Sequence, residues 1–175
     1  MNVLDEFRHE ARASTGWLES IVRDVTPEQA AWQPPGQANT IASTYAHIVR
    51  NFDEDLNQRF FERPLLSDGP WHRRTGLPPG PVAVEWEPGV VIDWQALHEY
   101  GRAMCAFIVE TVDALSAEDL RRKVEMGSMF GGVWDGIDVI RLTVGRHVWM
   151  HGGEIACLKG LQGFDGYVGF QTRNV

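Results

Sequence analysis

Cysteine is scarce: Cys105 and Cys157 are the only two in 175 residues, 52 positions apart and not in a CxxC pair. That excludes a disulfide-stapled secreted scaffold and a Cys-based zinc or redox motif, and it suits a reducing cytoplasm. Both thiols are expected as small buried apolar residues. No apolar run approaches the ~20 residues of a membrane span, so no membrane partner is expected. The opening "MNVLDEFRHEARAS" mixes acids with bases and lacks an apolar h-region, so it does not read as a signal peptide. The expected location is cytoplasmic. Basic residues are also in deficit, sixteen Lys and Arg against twenty-four Asp and Glu, for a net charge of -8 and a pI near 5.2. They cluster only at "HRR" (His72 to Arg74) and "RRK" (Arg121 to Lys123). A phosphate-tracking surface needs more than that, so no nucleic-acid partner is expected.

What the chain does have is apolar content: 43% of residues are hydrophobic, enough for one globular domain over residues 1–175. From Val3 or Leu4 to Val22, the residues Leu4, Phe7, Ala11, Trp17 with Leu18, and Ile21 recur at helical spacing, against which Gly16 is a weak point. Thr26-Pro27-Glu28-Gln29 reads as the cap of a single turn, closed by Pro34, Pro35 and Gly36. A second helix starts at Asn39 or Thr40, carries Ile41, Tyr45, Ile48, Phe52 and Leu56 along one stripe, and is stopped by Pro64. Asp93 is placed to cap a third, with Trp94, Leu97, Gly101, Met104, Cys105, Ile108 and Val112 as its core stripe. After a short turn from Ser116 and a loop or irregular hairpin at "RRKVEMGSMFGGVWDG", a fourth helix is expected from about Ile137 to Lys159, with Gly160 and Gly163 as stop signals.

Between the second and third helices, residues 64–91 hold six prolines and cannot form one regular element. A connection this long is expected to be a lid or a wall of a site, with Trp71 and Trp86 as apolar anchors. Four amphipathic helices, short caps and one long Pro/Gly-rich connection predict an all-α fold, an antiparallel four-helix bundle. Such folds place metal sites in the bundle core.

Two imidazoles stand out in "GRHVWMHGGEIACLKG". His147 and His151 are four apart, so on a helix they point the same way and are able to share one ion; two core histidines on one face would look the same. Glu154 lies on that face. Gly145, Gly152 and Gly153 surround the pair, and glycines inside a helix cost about 1 kcal/mol each relative to Ala. Close approach of a backbone or a ligand usually accounts for such a cost. His47 in "TYAHIVRN" lies at the edge of the second helix's stripe. Three imidazoles from two helices would leave coordination positions open, as in a catalytic rather than a structural zinc-type site. The pair is not an HExxH protease motif, because Val148 follows His147. His9, His72 and His98 are expected at the surface or the core edge, with His98 the one able to enter the same cavity.

The segment "WQPPGQANTIASTYAHIVRNFDE", followed roughly a hundred residues later by "GRHVWMHGGEIACLKGLQG", resembles the DinB/YfiT-like superfamily of four-helix bundles, over about Leu4 to Gly163. The resemblance implies that His47, His147 and His151 hold a divalent metal, and imidazole ligands suit zinc or nickel. The Pro-rich insertion is longer than the family pattern. Some members resemble metal-dependent transferases of low-molecular-weight thiols such as mycothiol or bacillithiol, acting on a small-molecule electrophile. In that reading Glu154 is a catalytic base or a partner of a ligand histidine, and Arg50 and Asn51 contact the polar end of a bound ligand or thiol cofactor. "HRR" would hold an acidic group on the thiol. A metal-dependent hydrolase and a non-catalytic metal-binding bundle are the other expectations. Apolar residues in the tail (Phe164, Tyr167, Val168, Phe170) point to a homodimer that buries them.

Overall fold

The computed structural model describes residues 2–71, 73–78, 89–127 and 131–167. His72, Trp86, Val168 and Phe170 of the expectations above lie outside these residues. The fold is predominantly helical, with one small two-stranded sheet.

Caps set the helix starts where the sequence placed them. In α1 (Val3–Val22), Asn2 and Asp5 form a reciprocal capping box. Thr26 and Gln29 do the same for α2 (Pro27–Ala31), where proline occupies the first turn. Thr40 accepts from the Ser43 amide to start α3 (Ile41–Asn51), and Asp93 accepts from Ala96 to start α4 (Trp94–Asp113). Gly16 does not interrupt α1. A 3₁₀ turn at Asp119–Arg121 follows α4. The irregular segment beyond it is a hairpin, β1 (Lys123–Glu125) antiparallel to β2 (Val133–Asp135), with Val124 opposite Trp134. The expected fourth helix is then built in three pieces: α5 (Gly136–Ile140), a π-helical stretch Arg141–Arg146, and α6 (His147–Leu161). α3 likewise runs on into a π-helical stretch, Phe52–Phe60.

α1 packs against α4 and α6, and α3 against the same two helices. The core between them contains Leu18, Ile21, Ile41, Tyr45, Ile48, Phe52, Leu56, Leu97, Tyr100, Met104 and Ile108. Two glycines are set by close approach. A Cβ on Gly101 would overlap the Tyr45 hydroxyl, and one on Gly152 would overlap the Trp17 ring. Gly153 faces open space and Gly145 lies beside Glu10, so only Gly152 of the three flanking the histidine pair is required by packing. The partner is an aromatic ring of α1.

One expectation is corrected. Cys105 is buried but Cys157 is exposed, because its position on α6 faces away from the neighbouring helices.

α3 and its π-helical extension are buried nearly all round, Arg50, Asp53, Glu54 and Asp55 included. The connection that follows covers the polar side. Asp53 accepts hydrogen bonds from the Leu66 and Ser67 amides at 3.0 and 2.8 Å, from Asn57 at 3.1 Å and from the Tyr100 hydroxyl at 2.6 Å. The far end of the connection is tied by the Asp93 amide to the Thr75 carbonyl, 2.9 Å. These described flanks are therefore a fastened wall. Asp53→Ala would leave two backbone amides and a buried phenol without their acceptor. It is expected to cost about 3 kcal/mol or more, read as a melting temperature about 10 °C lower. An unchanged melt would show that Asp53 does not hold the connection.

Candidate metal centre

His47 reaches the site from the middle of α3, and His147 and His151 from the first turns of α6. The π-helical stretch just before His147 adds a residue to the turn and so re-aims the helix that follows; such stretches are common beside functional sites. All three imidazoles are buried, and one nitrogen from each lies within 4.8 Å of the others. The ring centroids are 4.5 to 4.9 Å apart. Nε2 of His47 and Nε2 of His147 are 3.1 Å apart. Two unprotonated nitrogens at that distance repel, so a proton or a cation between them is required. The buried Nδ1 of His147 has no hydrogen-bond partner among the described residues. Burial, and then the charges of His151 and His47, push the His147 pKa down to about 3. The group is thus held neutral, the state a metal ligand needs.

His151 is oriented by Glu154, whose carboxylate lies 2.8 Å from Nδ1. A neutral His151 donates Nδ1–H there and turns the Nε2 lone pair inward, the carboxylate–histidine arrangement that supports metal ligands. Glu154 itself is half-exposed. Asn51 is buried one turn beyond His47. Its amide nitrogen donates to the His47 carbonyl at 2.9 Å and lies 3.3 Å from Nε2 and 3.4 Å from Nδ1 of the His47 ring, so the amide sits against His47. Arg50 points elsewhere, to Glu54 at 3.6 Å and to a cavity under the connection.

The remaining histidines separate from this cluster. His9 is exposed. His98, expected as able to enter the same cavity, packs instead against Trp94 and Tyr45 with Nε2 3.9 Å from Glu19. It lies across α3 from His47, because Tyr45 and His47 are two residues apart and face different sides of the helix. Of the "HRR" cluster, Arg74 is paired with Glu99 at 2.9 Å and stacked on Trp71, while Arg73 lines the cavity under the connection.

Asp53, Asp55 and Tyr100 went unread in the sequence. Asp55 is buried and paired with Arg59, and burial raises its pKa against the opposing charges of Arg59 and His47. "FDEDLNQRF" signals a solvated helix face, and only the covering connection turns it inward.

The donor set fits a divalent ion: three buried imidazoles converge, one is oriented by a carboxylate, and fewer than four protein ligands leave room for another group. Residues 10–155 match the DinB superfamily. The chain belongs to the DinB superfamily. No curated protein matches it at a significant level. The family match spans both histidine segments, and with it the divalent-metal reading of the cluster agrees. No helix among the described residues of this DinB-like chain is long and apolar enough to cross a membrane.

Proposed function

We propose that this DinB-like protein is a metal-dependent enzyme that transfers a low-molecular-weight thiol to an electrophilic small molecule. The observation that carries the reading is the buried three-histidine cluster with a polar side chain, Asn51, beside His47. In this reading α1, α3, α4 and α6 form an antiparallel four-helix bundle, and His47, His147 and His151 hold zinc or nickel. When bound, the ion lowers the pKa of a thiol and prefers a thiolate to a carboxylate or hydroxyl. The protein's two cysteines are not placed to supply that thiol: Cys157 is exposed on α6, and burial beside Glu19 pushes the Cys105 thiol far up. The thiol is therefore a separate small molecule.

The chain's own residues supply position and proton handling. Glu154 fixes the tautomer of His151 and is half-exposed to solvent. Asn51 offers an amide to whatever enters beside His47. Exposed Trp149, Met150, Leu161, Phe164 and Tyr167 favour a homodimer through α6 and the chain that follows it.

The test is conjugation of mycothiol, bacillithiol or glutathione to reactive electrophiles by metal-loaded protein. Glu154→Gln is expected to keep the metal and slow the reaction at least about tenfold, since a supporting carboxylate of this kind contributes about 10- to 100-fold. Hydrolysis of an ester or amide without conjugation would replace the reading with a metal-dependent hydrolase. Neither activity would leave a metal-binding bundle.

A further inference from the structure

α1 carries none of the three clustered imidazoles, yet it grips α6 at residues that bracket His151. The Trp149 indole N–H donates to the Glu10 carboxylate. Gly152 lies so close to the Trp17 ring that a Cβ there would stand 2.2 Å from Cζ3 and 2.7 Å from Cη2. Farther along, the buried Lys159 donates to the Ile21 carbonyl at 2.9 Å and to Asp24 at 2.6 Å. α6 continues directly from the π-helical stretch, with no capping side chain at its start. These lateral contacts with α1 therefore help to set where the helix lies.

The Trp17 ring is itself wedged. Its centroid is 4.7 Å from that of Trp149 and 6.3 Å from that of Tyr167. Trp149 is tied by its bond to Glu10. Tyr167 is brought there by chain that folds back on α6: the Phe164 amide donates to the Lys159 carbonyl at 3.0 Å, and Gly166 passes so near the Ala156 carbonyl that a Cβ would overlap it. Next to Trp17 on α1, Leu18 is fully buried in the core. A ring held between such neighbours does not swing away from Gly152 at low cost, because close-packed surroundings transmit displacement rather than absorb it.

We propose that Trp17 and Glu10 are positioning residues of the metal centre: set against Gly152 and Trp149, they fix the rotation and height of α6, and with them the convergence of His147 and His151 on His47. This rests on the metal-binding part of the proposed function and not on the transfer. The physical basis is the narrow tolerance of such a site. Imidazole nitrogens bind zinc at about 2.0 to 2.1 Å, and a working set of ligands has to be held to within about 0.5 Å. The Cβ introduced by Gly152→Ala would lie about 1 Å inside the ~3.5 Å at which carbon atoms touch. With the indole wedged, the displacement falls on α6 and carries His151, the next residue, with it.

The test is the zinc affinity of the full chain, measured by competition with a chromophoric chelator, alongside a melt of each variant without zinc. Gly152→Ala is expected to bind zinc at least about tenfold more weakly, the scale on which residues supporting metal ligands act. Trp17→Leu removes the six-membered ring that the new methyl group would strike and should weaken zinc severalfold through slack. In that background Gly152→Ala should cost less than about twofold, so the two changes are strongly non-additive, as expected of residues in contact. Glu10→Gln keeps an acceptor for Trp149 and should bind zinc as the wild type does, whereas Glu10→Leu should weaken it severalfold. A Gly152→Ala protein that melts lower without zinc yet binds zinc as tightly as the wild type would show that Trp17 packs the helices without aiming the ligands, and overturns the proposal. Equal losses from Gly152→Ala with and without the tryptophan do the same. A wild type that binds no zinc removes the metal centre and this inference with it. Loss in Gly152→Ala relieved by Trp17→Leu supports the positioning role whether or not the loaded protein conjugates a thiol.

Discussion

Alanine at His47, His147 or His151 is expected to abolish tight metal binding, so that elemental analysis finds about one divalent ion per chain in the wild type and essentially none in each variant. The three imidazoles are the cluster of convergent ligands found among the described residues, and losing one of three leaves a pair with too few ligands to retain the ion through purification. Stability gives a second readout. An ion present at 100 to 1,000 times its dissociation constant stabilises the fold by about 3 to 4 kcal/mol, and a variant without the site gains none of it. A leucine at position 147 separates ligand loss from misfolding. In metal-free protein it removes a buried ring whose Nδ1 has no partner among the described residues, a gain that offsets the loss of the hydrogen bond between the His147 and His47 rings. Metal-free His147→Leu should therefore melt close to the metal-free wild type and yet not respond to zinc or nickel. Equal metal content in wild type and variants would remove the centre, and with it the proposed chemistry.

The starts of α2, α3 and α4 were legible because each has a local chemical cause. Thr26, Thr40 and Asp93 cap as their side chains suggest, and the stripe from Ile41 to Leu56 is buried throughout. The histidine cluster was legible for the same reason: i and i+4 on one helix share a face whatever else the chain does. What was not legible depends on contacts distant in sequence. The π-helical stretches at Phe52–Phe60 and Arg141–Arg146 carry no residue signature. The acids at 53 to 55 look like solvent-facing charge until the connection folds over them and Asp53 takes up the Leu66 and Ser67 amides. Gly152 suggested close approach near the histidines, and the approach is real, but its partner is Trp17 of a different helix. Residues 64 to 91 read as irregular from proline content alone, yet the fastening at Asp53, Thr75 and Gly76 depends on backbone geometry that composition does not encode.

Mildly acidic pH is expected to weaken the fold through His147, and the sign follows from its burial. Burial first, and then the two neighbouring imidazoles, hold its folded pKa at about 3, against ~6.5 in an unfolded chain. Between those values the unfolded chain binds a proton that the folded chain refuses, so stability is fully present above about pH 6.5 and falls as pH drops toward 3. One such group is worth about 1.4 kcal/mol per pH unit, hence about 2 kcal/mol by pH 5 in metal-free protein. Metal steepens the dependence, because ligand histidines must be neutral and protons compete for them; acidification should release the ion with proton uptake. Other groups act in the same range. His98 is also lowered by burial and adds to the loss, whereas Glu19 and Asp55, raised by burial, favour the folded chain as pH falls. Comparison with His147→Gln isolates the one residue, since glutamine keeps a polar side chain of similar length but does not titrate. Denaturant melts of both proteins without metal at pH 7, 6 and 5 should show the wild type losing stability relative to the variant at each step down. A difference between the two that does not change with pH would mean that His147 takes up a proton in the folded protein as readily as in the unfolded one. His147 would then not be held as the neutral ligand that an ion requires.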